Sequence, residues 1–145
     1  MAQTFTASQV ISGTYGECWI DGEKFAEINR LQAKIDFLKE DVPMCGKQNG
    51  RGKKTMGWEG KGTLSFSKVD SRLLKKQVEK HKKGEEFVFT VVSKLADPSA
   101  KGSERVELKN CVFDDLTLID WEANKLTQIE MPFTFDDYNL LDTID

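Results

Sequence analysis

Glu17-Cys18-Trp19-Ile20-Asp21-Gly22, followed without a break by residues 23–40 (EKFAEINRLQAKIDFLKE), is the stretch on which the fold turns. A short apolar run ending in Asp-Gly predicts a strand and a tight hairpin turn, because both central positions of that turn favour φ > 0. Residues 23–40 themselves read in two ways. Ile28, Leu31, Ile35 and Leu38 recur at helical spacing. Leu31, Ala33, Ile35 and Phe37 alternate as in a strand. Periodicity alone leans towards a helix, whereas the Asp-Gly turn asks for a second strand directly after it. On the residues alone both readings stay open.

Downstream, the reading is mostly extended. Residues 43–57 read as a loop, since six glycines fall between Gly46 and Gly62, with Lys47, Arg51, Lys53, Lys54 and Lys61 among them. That glycine density excludes a regular helix. Trp58, Gly60, Gly62, Leu64 and Phe66 then alternate with Glu59, Lys61, Thr63, Ser65 and Ser67, as in a strand with one apolar face. Residues 71–83 (SRLLKKQVEKHKK) predict a helix. Asp70 or Ser71 can cap it, Leu73, Leu74 and Val78 form its buried stripe with His81 on the same face, and Gly84 stops it. Strands are expected at residues 87–95, 105–109, 111–121 and 126–135, with turns at 97–102 and 122–125. In the last strand Ile129, Met131, Phe133 and Phe135 share a face. The fold class is therefore mainly β, a β-sandwich or small barrel, with one flanking α-helix. Residues 1–16 read as a polar N-terminal arm, 17–138 as the β-rich domain and 139–145 as an acidic, mobile tail.

Length and composition suit one globular domain: 145 residues, 39% hydrophobic and 31% charged. The start of the chain carries no charged side chain through Val10 and lacks the features of a secretory signal, so residence in a cytoplasm is expected. Cys18, Cys45 and Cys111 are widely spaced and form no CxxC pair. With His81 the only histidine, no metal site is expected, and the thiols read as buried or half-buried. The net charge of −3 conceals a segregation: residues 47–83 carry 12 basic and 3 acidic side chains, residues 104–145 carry 3 and 11. Such opposed regions either pair within the chain or dock one copy head to tail on the next.

No constellation reads as catalytic. The run Gly46-Lys47-Gln48-Asn49-Gly50-Arg51-Gly52-Lys53-Lys54-Thr55 misses the phosphate-loop pattern, with Lys54 where Ser or Thr belongs and no helix after it. Nucleic-acid binding by this loop and the basic helix is weighed down by a sequence pI near 5.3 and by Trp58 being the sole aromatic nearby. Asp114-Asp115 and Asp136-Asp137 are neighbours on extended chain, so each pair points to opposite faces. No cofactor is expected. Two rival readings remain beside self-assembly: a monomeric β-barrel that binds nucleic acid or another ligand, and a small hydrolase with dispersed carboxylates.

The motifs Gly16-Glu17-Cys18-Trp19-Ile20-Asp21-Gly22, Ile35-Asp36-Phe37, Gly57-Trp58-Glu59-Gly60-Lys61-Gly62-Thr63-Leu64, Leu73-Leu74 and Glu130-Met131-Pro132-Phe133-Thr134-Phe135-Asp136-Asp137-Tyr138 span nearly the whole chain. Together they resemble the tail tube proteins of contractile phages and of the defective-prophage and phage-tail-like bacteriocin particles of Gram-positive bacteria. The resemblance implies a structural, non-enzymatic subunit. It implies hexameric rings stacked into a hollow tube, with a sheath outside, a tape-measure protein inside and a baseplate initiator below. DNA or other cargo would pass the lumen without specific binding, and no membrane would be involved. The resemblance also makes residues 23–40 mostly extended. It places subunit contacts on the arm and on residues 43–57, with Lys47, Arg51, Lys53, Lys54, Trp58, Asp136 and Asp137 as the interface candidates.

Overall fold

The computed structural model describes residues 4–46 and 52–144. Two 3-10 turns, Ala7–Gln9 and Gly13–Tyr15, lead into β1 (Gly16–Ile20), β2 (Glu23–Lys24), β3 (Ile28–Val42) and β4 (Gly52–Ser67). Then come α1 (Arg72–Lys82), β5 (Val88–Leu95), β6 (Glu104–Phe113), β7 (Gln128–Phe135) and β8 (Asp137–Asp142). All described pairings are antiparallel, within one eight-stranded sheet ordered β2-β1-β5-β6-β7-β4-β3, with β8 also on β6. The sheet rolls over its own inner face, so that Cα atoms of β1 and β3 approach within 8 Å.

The Asp-Gly turn is where the sequence places it. Asp21 has φ 52° and Gly22 φ 80°, and Ile20 pairs with Glu23 across them. The strand it feeds is only two residues long, and the chain then crosses to the far side of the sheet as β3. Residues 28–42 are extended, and the helical spacing of Ile28, Leu31, Ile35 and Leu38 is overridden. β3 finds a partner of matching length in β4, from Ile28 opposite Phe66 to Val42 opposite Gly52.

Four further expectations need correction. Residues 52–57 belong to strand β4 and not to a loop. Glycine and lysine rule out a helix there, yet they leave an exposed strand possible, held in register by Asp41 opposite Lys53 and Glu40 opposite Lys54. The segments 105–109 and 111–121 are replaced by one strand ending at Phe113, with a bulge at Asn110, whose φ is 56°. Residues 139–142 of the acidic tail continue a strand, β8, that starts at Asp137 and pairs with β6, with Asp137 opposite Lys109 and Asp142 opposite Arg105. His81 is exposed, and the buried polar position on α1 is Gln77.

The core uses the predicted faces. Leu64, Phe89, Val91, Cys111 and Phe133 are fully buried, and Ile129, Met131 and Phe135 complete the inner face of β7. Phe89 stacks on Phe113 with centroids 4.4 Å apart and meets Phe133 edge-on at 6.1 Å. Leu73 pins α1 to this core. Arg72 clamps the helix to the β2–β3 connection through Glu23 and Glu27, forms an ion pair with Asp70 at 3.0 Å and lies over the Phe25 ring at 4.4 Å. Lys76 also bonds Glu23, at 3.0 Å. The bonds from Lys76 and Arg72 hold the Glu23 carboxyl below its ordinary value. A group with a depressed native pKa contributes stability above its unfolded value and loses it as pH falls through the native one, so the clamp weakens in acid. Arg72→Ala is expected to destabilise the protein, read as a fall in urea midpoint with unchanged slope.

Candidate subunit-contact surface

Beyond Ile35 and Gly60, the β3–β4 hairpin leaves the body of the protein. Directly opposed residues share a face in an antiparallel pair. The inner face therefore runs from Leu31 and Leu64, through Ala33 and Gly62, to Ile35 and Gly60, and then to Phe37 and Trp58. The first residues of this stripe are core. The last are not: Phe37 is 61% exposed and Trp58 39%. Met56, at the bulge between Leu38 and Lys39, and Leu38 itself add exposed apolar surface.

Two glycines let this stripe leave the core tightly packed. β7 lies against β4 with Phe135 opposite Gly60 and Phe133 opposite Gly62. A Cβ at Gly60 would stand 2.6 Å from the Phe135 ring and from its carbonyl oxygen. A Cβ at Gly62 would meet the Phe133 ring and, at 2.7 Å, the Gln32 carbonyl oxygen. The glycines are there for close approach of rings and backbone.

Past Phe135 the sheet forks. β4 continues into the hairpin while β8 continues along β6, in line with β7. An open cleft between them is lined by Trp58, Gly60, Thr134, Phe135 and Asp136. Trp58 leans across the fork, edge-on to Tyr138 at 5.8 Å and 6.4 Å from Phe135. Asp136 accepts a bond from Asn110 Nδ2 at 2.7 Å, and Asp137 accepts one from the Tyr138 amide at 2.8 Å.

Of the interface candidates, the structure groups Trp58 with Asp136 at the fork and sets Lys53 and Lys54 further out on the hairpin. Asp137 faces Lys109 on β8 instead. Lys47 and Arg51 lie outside the described residues. Sequence reasoning misses Phe37 as the partner of Trp58; the alternation Leu31, Ala33, Ile35, Phe37 is the available signal. It also places Trp121 in a strand, whereas that residue lies in irregular chain and is 76% exposed.

Among the described residues no three His, Cys, Asp or Glu side chains gather as a metal site. The cavity under α1, between Phe25, Phe66, Leu73 and Met131, holds about 20 Å³, the room of a single water. Among the described residues no helix is long and apolar enough to cross a membrane. Cys18 and Cys111 are buried, and burial pushes both thiols up to about 12, while Cys45 is exposed, against the expectation of three sheltered thiols. Maleimide at neutral pH is therefore expected to label one thiol in the native protein and three in denaturant.

Comparison with known proteins shows the family. Residues 3–142 match the family described as phage tail tube protein. The protein XkdM of the phage-like element PBSX of Bacillus subtilis is 35% identical over 137 residues, covering 92% of each chain. A solved Bacillus subtilis protein is 32% identical, with a TM-score of 0.52, over 94% of this chain and 98% of that one. The sheath–tube complex of the extracellular contractile injection system PVC includes a chain of the same fold. Its TM-score is 0.70 at 12% identity, covering 97% of this chain and all of that one. The eight-stranded sheet with α1 against it is thus a tail-tube fold, and the chain belongs to the phage tail tube protein family.

Proposed function

We propose that the chain is a structural subunit that assembles into hexameric rings, stacked to form the hollow inner tube of a contractile tail or phage-like particle. One observation carries the reading: the core-face stripe of β3 and β4 runs on past the core and, among the described residues, leaves Phe37 largely and Trp58 partly exposed. An apolar stripe of this kind on a protruding hairpin is what a second copy would bury. The outer edge of β3, unpaired along its described length, supports the same conclusion, since an open strand edge is a template for another chain. Trp58, Lys53 and Lys54 serve this contact from the hairpin, and Asp136 and Asp137 support its root. Lys47 and Arg51 join them on sequence grounds.

In this reading the tube stands on a baseplate initiator, surrounds a tape-measure protein and is wrapped by a sheath. DNA or other cargo passes its lumen without specific binding. Assembly takes place in the bacterial cytoplasm, and the product resides in the particle. The purified chain, concentrated or supplied with its initiator, is expected to give rings or tubes with a central hole in negative stain. A persistent monomer that binds a defined ligand would instead favour the monomeric β-barrel binder.

A further inference from the structure

The rolled sheet does not close where its two borders meet. Cα atoms of β1 and β3 come within 8 Å, yet no ladder joins the two strands. Between them runs a groove of about 560 Å³, with Gly16 and Cys18 of β1 on one wall and Ile28, Asn29 and Leu31 of β3 on the other. Gly13 and Thr14, from the root of the N-terminal arm, complete its lining. On its side away from β5, β1 is paired by β2 at Trp19 and Ile20, and the Phe25 amide donates to the Cys18 carbonyl at 3.0 Å. Nearer the start of β1 the arm takes over this role. The Gly16 amide donates to the Gly13 carbonyl, and so is withheld from any other strand.

One buried carboxylate holds the root of the arm in this position. Asp97, in the turn between β5 and β6, is 8% exposed and has no ion pair among the described residues. Its Oδ2 accepts from the Ser12 amide at 2.9 Å, across 85 residues of chain, and its Oδ1 accepts from the Ser99 amide at 2.9 Å. A carboxylate buried without a cation is costly unless it is hydrogen-bonded, and here both oxygens are. Packing at Gly13 adds little, since no atom beyond its chain neighbours lies within 4 Å of where a Cβ would stand.

We infer that residues 12–15 are a lid, latched by Asp97, that closes the β1 side of this groove against pairing with another chain. A strand edge left open beside a groove is a template for strand addition. The lid occupies that edge with the chain's own backbone. The latch is specific in its chemistry, because it needs two acceptor oxygens on one side chain: one for the turn that carries Asp97, one for the arm.

Asp97→Asn tests this, because an amide has one acceptor oxygen where the carboxylate has two. That oxygen stays with Ser99, in a local turn that Asn itself favours, and the Ser12 bond is lost. Amide hydrogen exchange of the isolated subunit should become at least about tenfold faster at residues 13–18, as the loss of one charge-assisted bond implies, and stay unchanged in β6 and β7. On incubation the same variant should form thioflavin-positive aggregate, while the unsubstituted chain forms none. Ser12→Pro, at an extended position with φ −89° and ψ 132°, deletes the donor, leaves Asp97 and its turn intact, and should act alike. Arg72→Ala controls for lowered stability, since it loosens α1 and leaves the lid in place. Thioflavin-positive material from that control as well overturns the inference. So does exchange at residues 13–18 that matches the unsubstituted chain, and so does faster exchange without aggregate. Both readouts use the isolated subunit, so their outcome is separate from that of the tube reading.

Discussion

Gly62→Val is expected to destabilise the isolated subunit by about 3 kcal/mol or more, a large share of the stability of a domain this size. The reason is local and steric. The first added carbon would already stand 2.7 Å from the Gln32 carbonyl oxygen, which belongs to the β3 backbone and is fixed by the β3–β4 ladder. On the other side it meets the ring of Phe133, which is 1% exposed and packed among Phe89, Phe113 and Phe135. Neither neighbour can retreat without opening a strand pair or breaking the aromatic cluster. Gly57→Ala is the control, because its Cβ would rest 3.7 Å from Leu38 Cδ1, an ordinary contact. That change is expected to be neutral or slightly stabilising, through lower entropy of the unfolded chain. Urea unfolding of both variants decides it. A Gly62→Val midpoint equal to that of Gly57→Ala would mean that the close approach of β4 and β7 is not what holds the core.

Much of this core is legible in the sequence because a half-buried strand writes its burial in alternation. Ile129, Met131, Phe133 and Phe135 alternate onto one face and are buried together. The hairpin beyond Trp58 is illegible for the opposite reason: outside the body no core faces the strand, so no period-two pattern is imposed, and its glycines and lysines resemble a loop. β8 is hidden because its acidic residues read as a solvated tail. What makes it a strand is a neighbour about thirty residues earlier, β6, whose Lys109 and Arg105 face Asp137 and Asp142. Local sequence cannot show such a pairing. Residues 114–121 read as strand because Leu118 and Trp121 look like core, although they are among the most exposed apolar residues described. The candidate site is partly legible through Trp58, Lys53 and Lys54, while Phe37 is absent from it. The importance of Phe37 depends on where the hairpin leaves the body, which only the register across Gly60 and Phe135 reveals.

Phe37→Ser should abolish assembly at concentrations where the unsubstituted chain forms tubes, while leaving the subunit folded. The two effects separate because of where the side chain stands. At 61% exposure Phe37 contributes little to the isolated fold, and a surface change of this kind moves stability by about 0.5 kcal/mol or less. In an interface the same ring is an anchor. Truncating a buried aromatic at the centre of a contact costs about 2 kcal/mol or more, which is roughly thirtyfold in affinity at each contact. In the proposed tube each subunit would make that contact with more than one neighbour, so the loss would recur at every step of growth. Trp58→Ser should also block assembly but lower the thermal midpoint, because Trp58 packs on Phe135 and Tyr138 within its own chain. Sedimentation of the variants, with circular dichroism melts alongside, reads both quantities. Were Phe37→Ser to form tubes at the unsubstituted concentration, the uncovered stripe would not be a subunit contact. Were it to lose its fold as well, the ring would be part of the core after all.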